Sequence, residues 1–362
     1  MAYRVVQWGT GEVGCESLRG ILDHPGLELA GVKAYVDSKH GVDAGELIGR
    51  SKVGVLATKS VDDALAGPVD CVLYTPRTPS VADVSRILEA GINVVTTSFA
   101  FHQARADARD RDTLLQACLR GGSSLHGTGL NPGNLGAVLP LAMAGMCRDI
   151  EQITIQERAD WSMYDSAEIT FGQMMFGADP ADVTPESPSL RYTSELFQQQ
   201  VWLLGDALGV NLDEVSIDLE TVPAAADGEF LGRTLAAGTV AGQRWRWSGR
   251  RAGVTVIEVE TLWMLGQKQP GHWPSPQHGW TITVEGSPSL QAHVVTLASF
   301  RRDVPLSEHV HAASVATAMQ AVNAVPAVCA ASAGFVTMAQ LPLAWLPGGG
   351  GVSGCPDSTS TG

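Results

Sequence analysis

Basic residues are scarce in this chain: 24 lysines and arginines stand against 38 aspartates and glutamates, a formal net charge of −14. That balance opposes binding to nucleic-acid phosphates or to an anionic membrane surface, and leaves a small molecule as the expected partner. The six cysteines, Cys15, Cys71, Cys118, Cys147, Cys329 and Cys355, show no C-x-x-C spacing. They read as reduced residues, and no metal site is expected. A basic stretch followed by an apolar segment is also missing at the start, where a strand is under way by Tyr3, and no apolar run looks long enough to span a bilayer. A cytoplasmic location is expected. No internal repeat is found. With 44% hydrophobic and 17% charged residues among 362, the chain carries no disorder signature and has material for about two packed domains.

What is present begins eight residues in. Gly9-Thr10-Gly11-Glu12-Val13-Gly14 follows Tyr3-Arg4-Val5-Val6-Gln7-Trp8, which reads as a buried strand, and precedes a helical pattern with Val13, Leu18, Ile21 and Leu22 on one side. Strand, glycine-rich turn and helix in that order form the first βα turn of a dinucleotide-binding fold. Gly9 makes the tight turn, Gly11 lets the backbone approach a pyrophosphate, and Gly14 lets helix and strand pack closely. The helix's unpaired N–H groups and positive dipole end receive the pyrophosphate.

Further strands are predicted over 27–36, 70–74, 92–97 and 124–129, with helices over 81–90 and 105–120. This alternation predicts an α/β protein whose residues 1–149 form a Rossmann domain, a doubly wound parallel sheet. Ligands bind beyond the carboxyl ends of such strands, where the chain places Thr75-Pro76, Thr97-Ser98 and the turn from Gly127 to Gly133. Near Ile150 the pattern changes to period two: Ile153, Ile155, Glu157, Ala159 and Trp161 alternate with polar residues. Strands over 215–222, 244–248, 254–263, 280–284 and 292–297, with a helix over 190–208, predict a C-terminal α+β domain at 150–303 built on a mainly antiparallel sheet. Residues 304–345 read as a helical return to the Rossmann domain and 346–362 as a disordered tail. Apolar residues fall at both parities of 254–263 and 280–284, among them Val256, Ile257, Val259, Leu262 and Trp263. Both sheet faces then need cover, helices are too few to supply it, and a homodimer through this sheet is expected.

About 20 residues past the last glycine, NAD-specific sheets place a carboxylate for the ribose 2′-hydroxyl. The corresponding window, Lys33 to His40, ends its strand without one; Asp37 comes late, and Ser38 and Lys39 follow as donors suited to a 2′-phosphate. NADP is the preferred cofactor of this reading and NAD remains open.

The opening Tyr-Arg-Val-Val-Gln-Trp-Gly-Thr-Gly, the turn Gly129-Leu130-Asn131-Pro132-Gly133 and the segment from Ala318 to Cys329 together resemble the dihydrodipicolinate-reductase-like group. Within it the chain is most similar to the 2,4-diaminopentanoate dehydrogenases and native amine dehydrogenases, especially actinobacterial members. The resemblance implies hydride transfer between NAD(P) and the carbon of a C–N bond, with an amine, imine or ketone as substrate. Two departures stand out. Where the amine dehydrogenases are expected to place a glutamate after the strand at 92–97, this chain has Ser98-Phe99-Ala100-Phe101. Where dihydrodipicolinate reductases carry His-His and Lys, it has Arg158-Ala159-Asp160-Trp161 and Met163.

Hydride transfer asks the protein for geometry, dryness and a proton donor or acceptor at the heteroatom. Glu157 is the first candidate, because its parity puts a carboxylate on an apolar face; a buried structural role is the alternative. Tyr164 and His102 are the others, against roles as an ordinary aromatic and a surface histidine. Asn131 and Pro132 border the cofactor region, and Asn323 interrupts an apolar helix with an amide suited to a carboxamide. Trp161, Met175, Phe176 and Trp263 are expected to line an apolar substrate pocket or simply to be core. Beside amine dehydrogenation and imine reduction, two functions stay open: a carbonyl or cyclic-imine reductase without ammonia capture, and an inactive NADP-binding sensor.

Overall fold

The computed structural model describes residues 2–343 apart from 165 and 267; the expected tail at 346–362, with Cys355, lies outside the described residues. Seven parallel strands form the first sheet: β1 (Tyr3–Trp8), β2 (Leu27–Lys33), β3 (Ala57–Thr58), β4 (Cys71–Tyr74), β5 (Asn93–Thr96), β6 (Ser124–Gly127) and, from the far end of the chain, β15 (Gly334–Val336). Their order is β15-β6-β5-β4-β1-β2-β3. The central strands are apolar toward both sides, with Val5, Val6, Val72 and Leu73 fully buried, because helices cover both faces. Helices α1 (Glu12–Asp23), α2 (Ala44–Leu47), α3 (Val61–Ala64), α4 (Val81–Glu89) and α5 (Ala108–Gly121) belong to this layer. Short α6 (Leu139–Ala144) follows the turn after β6.

The second sheet collects β7 (Asp149–Asp160), β8 (Glu214–Pro223), β11 (Val240–Arg251), β12 (Val254–Met264), β13 (Gly279–Ser287) and β14 (Leu290–Val294), while β9 (Gly228–Phe230) and β10 (Arg233–Leu235) form a separate hairpin. Its order is β14-β13-β7-β12-β11-β8, antiparallel throughout except for the pair β7–β12. Helix α7 (Pro188–Ala207) packs Leu190, Phe197, Val201 and Leu204 on the inner face against Ile155, Trp245, Trp247 and Val259. The rings of Phe197 and Trp247 stack with centroids 4.4 Å apart.

Helix α8 (Leu306–Cys329) then returns to the first layer and buries Ala321, Val322, Val325 and Val328 against Val5, Ile21, Leu73 and Val95. Its length and mean hydropathy of 1.3 would suit a membrane span, against the expectation of no such run, but here it is the cover of a parallel sheet.

The outer face of the second sheet corrects the sequence argument for two apolar faces. The neighbours β8 and β11 place Asp218, Glu220, Arg244 and Arg246 on that face, where Arg244 pairs with Glu220 at 3.3 Å and with buried Glu260 at 2.6 Å, and Arg246 pairs with Asp218. Gln156 donates to Glu260 at 2.6 Å. Leu262 and Met264 do point outward, but Trp273 of the same chain packs on them. Val256 is the extra residue of a bulge opposite Gly249 and Arg250. Parity along one strand cannot show what the adjacent strands contribute to the same face.

Candidate active site

The glycine turn is built as its sequence demands. Gly9 adopts φ +100°, and a Cβ on Gly14 would lie 2.2 Å from the Gly9 carbonyl oxygen, so only glycine permits this approach of helix to turn. Thr75 locks the turn to β4, accepting from Gln7 Nε2 at 2.9 Å and donating to the Trp8 carbonyl at 3.1 Å. Gly11 differs: a Cβ there would meet nothing within 4 Å. Among the described residues no neighbour requires glycine at this position, and the open floor at the N-terminus of α1 fits a diphosphate lying against bare backbone. The residues present therefore fit a nicotinamide dinucleotide.

Around that floor, Lys39 donates to the Thr10 carbonyl and Ser38 is exposed beside it. Asp37 is turned away to Lys59, whose ammonium holds its carboxyl below the ordinary range. The strand β2 ends at Lys33, three residues short of expectation; its buried ammonium lies 4.3 Å from the Tyr35 ring centroid, and burial lowers its pKa. Glu12 opens α1, and Val13 follows on its half-buried first turn. Beyond β4 and β5, the Ser98 hydroxyl donates to the Pro76 carbonyl at 2.5 Å, and Tyr192 Oη of α7 donates to the Ser98 carbonyl at 2.8 Å. Thr97 is half-buried between these tethers.

Glu157 stands where the two sheets meet. Its strand β7 lies between β12 and β13, with Thr261 and Trp280 directly opposite. Glu157 Oε1 accepts from Trp263 Nε1 at 2.9 Å; Oε2 accepts from Trp280 Nε1 at 3.0 Å and from Asn131 Nδ2 at 2.7 Å. Asn131 comes from the turn that leaves β6, so this contact joins the carboxyl edge of the first sheet to the second. Burial pushes the Glu157 carboxyl up, and the three neutral donors pull it down less strongly. Among the described residues no cation pairs with it. Asn131 Oδ1 is buried and has no partner there either.

Trp263 is buried and its ring packs 5.4 Å from that of Trp161, which in turn lies 5.0 Å from Tyr164 and 5.7 Å from Phe176. Tyr164 keeps 40% exposure; burial against these rings and the nearby charge of Glu12 raise its pKa, while Arg77 opposes them. Phe176 is core, whereas Trp161 and Met175 are half-buried, Met175 with a left-handed φ of +58°. A 340 Å³ cavity beside Arg77, Glu168, Gln173 and Tyr192 opens nearby, crossed by an Arg77–Glu168 ion pair at 2.5 Å.

The structure thus gathers Glu157, Asn131, Trp263, Trp161 and Tyr164. His102 is elsewhere: buried after β5, it places Nε2 2.7 Å from Asp206 Oδ2 near the end of α7, and its backbone N–H donates to Gln199. Pro132 is buried in the turn after β6, and Asn323 is half-buried on α8. Sequence reasoning passed over Trp280 and Tyr192. Trp280 begins the alternation Trp280, Ile282, Val284, a signal of one strand face, but its partner strand is not legible from spacing.

A glycine turn open to a diphosphate and a polar, partly aromatic site beyond the same strand ends define an NAD(P)-dependent oxidoreductase. Residues 137–346 match the family model of the 2,4-diaminopentanoate dehydrogenase C-terminal domain. The chain is 30% identical over 313 residues to an amine dehydrogenase of Streptomyces virginiae, spanning 80% of this chain and 84% of that one. It belongs to the family of the 2,4-diaminopentanoate and amine dehydrogenases. The 2,4-diaminopentanoate dehydrogenase of Acetoanaerobium sticklandii is 23% identical over 363 aligned positions, 94% of this chain and 93% of that one. The amine dehydrogenase structure from Mycobacterium smegmatis shares the fold, with a TM-score of 0.74 at 21% identity over 95% of this chain and 97% of that one.

Proposed function

We propose that the chain interconverts a primary amine and a carbonyl compound: amine, NADP+ and water give ketone, ammonia, NADPH and a proton. The observation that carries this reading is a Glu157 carboxylate held by three neutral donors and by no cation among the described residues. A substrate ammonium supplies the missing charge. Glu157 then takes its proton, leaving the free amine from which hydride can depart, and returns a proton in the reverse direction. Asn131 holds the carboxylate through Nδ2 and offers its unpartnered Oδ1 to an amide or amine N–H. Trp161, Met175 and Tyr164 give the substrate body an apolar wall, with Phe176 and Trp263 supporting it. The backbone of Gly9, Thr10, Gly11, Glu12, Val13 and Gly14 cradles the diphosphate; Thr75, Pro76, Thr97, Ser98, Pro132 and Asn323 flank the remainder. When bound, the nicotinamide ring accepts or delivers the hydride. Assay of an amine panel with NADP+, and of ketones with ammonia and NADPH, tests the reading; no turnover in either direction would remove it.

NADP is the cofactor we favour, because Lys39 and Ser38 stand beside the turn while Asp37 is occupied by Lys59. A lysine–phosphate hydrogen bond is worth about 1.5–3 kcal/mol, so Lys39→Ala should weaken NADPH binding by about tenfold or more. NADH is the control, since loss of the Lys39 bond to Thr10 would affect both. Equal weakening of the two would turn the assignment to NAD.

A second reading rests on the loop after β5. Phe99 and Phe101 are buried, Ala100 is left-handed, and Ser98 is bound to Pro76, so no carboxylate stands there to activate ammonia. Reduction of preformed cyclic imines without turnover of ketone plus ammonia would favour it. For assembly, a homodimer through the second sheet stands as a proposal, its two copies meeting at the charged rows of β8 and β11 rather than at an apolar face. Light scattering should then give about twice the 38.1 kDa chain mass. Arg246→Glu should shift that mass toward the monomer.

A further inference from the structure

Glu12 presents a problem for the cofactor reading, on which this inference rests. It is the first residue of α1, inside the glycine turn, and its carboxylate would repel a diphosphate at the helix N-terminus. The far end of the chain answers it. His311, near the start of α8, places Nδ1 2.8 Å from Glu12 Oε1 and Nε2 3.1 Å from Glu16 Oε1. Carboxylates only accept, so the imidazolium, protonated on both ring nitrogens, is the form that suits both contacts at once. Arg19 Nε adds a third positive contact, 3.0 Å from Glu16.

We propose that His311 is a positioning residue for cofactor binding, a cationic clamp that holds the Glu12 carboxylate on α8 and cancels its charge beside the diphosphate floor. Burial alone would lower the His311 pKa, but its hydrogen bonds to Glu12 and Glu16 prevail and raise it. The clamp is therefore complete below that raised pKa and is lost as the pH rises through it, exposing the charge of Glu12 to the phosphates. Cofactor affinity should fall in the same window, and bound cofactor should raise the His311 pKa in return. The other charged groups around the clamp are Glu16 and Arg19 on α1, Glu308 and His309 on α8, Lys39 at the turn, and Arg77, which with Glu12 acts on Tyr164. None of them joins Glu12 to a second histidine.

The test follows His311 by NMR of histidine-labelled protein, without and with NADH, and measures NADPH and NADH dissociation constants by fluorescence at pH 6.5 and 9. NADH is included because it lacks a 2′-phosphate that titrates in this range. A partly exposed charge near a helix terminus has a modest, screened effect, so wild-type affinity for both should fall about three- to tenfold between the two pH values. His311→Gln should bind weakly at both, with a flat profile. The double variant His311→Gln, Glu12→Gln should regain the low-pH affinity and guards against a mere folding defect. A wild-type pH profile in His311→Gln, or a His311 pKa unmoved by NADH, would overturn the clamp while leaving the cofactor reading intact. Failure of the wild type to bind either dinucleotide would overturn both.

Discussion

Replacing Glu157 by glutamine should lower kcat for an amine by about 10² to 10⁴, the usual worth of a positioned acid or base, while NADPH affinity stays within about twofold. The geometry makes this substitution more than a loss of charge. Both carboxylate oxygens accept, one from Trp263 and the other from Trp280 and Asn131 together. A glutamine must turn its NH2 toward at least one of these donors, leaving a buried N–H without an acceptor at a cost of about 1–3 kcal/mol. Thermal unfolding separates that cost from the chemistry: a lower Tm with unchanged kcat would assign Glu157 to structure alone. Glu157→Asp keeps the charge but shortens its reach, and should lose turnover with less loss of stability. The pH profile gives an independent reading. Because burial raises the Glu157 pKa, amine oxidation should fall on an acid limb placed above the ordinary carboxylate range, and the limb should vanish in Glu157→Gln. For stability the sign is the reverse of an ion-paired carboxylate. Raised folded pKa means the folded state holds its proton longer, so Glu157 weighs against folding as the pH rises through that value.

How much of this site the sequence reveals depends on the range of each contact. The glycine turn is local: strand, turn and helix are contiguous, and the 2.2 Å approach that forbids a Cβ on Gly14 lies within six residues of chain. Its place at the head of a parallel sheet is legible for the same reason. The parity of Glu157 is legible too, since Ile153 and Ile155 on its strand are buried on one face. What holds the carboxylate is not, because Asn131, Trp263 and Trp280 are 26, 106 and 123 residues away. Their meeting is decided by strand order, in particular by the parallel pairing of β7 with β12 inside a sheet that period-two patterns alone read as antiparallel. His102 shows the converse. A loop histidine after β5 looks free in sequence, but the helix 104 residues later brings Asp206 to its ring. The edge strand β15 escaped notice because three residues, Gly334 to Val336, carry no periodicity to detect.

Gly11→Val should abolish detectable binding of either dinucleotide, at least about a hundredfold, and leave the fold unchanged; few substitutions separate the two so cleanly. The position has φ −72° and ψ −169°, an extended conformation that a β-branched residue adopts without strain, and its Cβ would meet no atom of the other described residues within 4 Å beyond its chain neighbours. The isopropyl group would instead fill the floor on which a diphosphate must rest, at the helix N-terminus where its charge is best stabilised. Tm should therefore match the wild type. Gly14→Ala is the contrast: its methyl group would press into the Gly9 carbonyl, forcing helix and turn apart at a cost of about 1–3 kcal/mol, so stability and binding should fall together. Fluorescence titration of NADPH beside thermal unfolding reads both outcomes. If Gly11→Val binds NADPH as the wild type does, the open floor is not where the cofactor lies. If it loses stability as Gly14→Ala should, the requirement for glycine at Gly11 is internal to the fold and says nothing of a ligand.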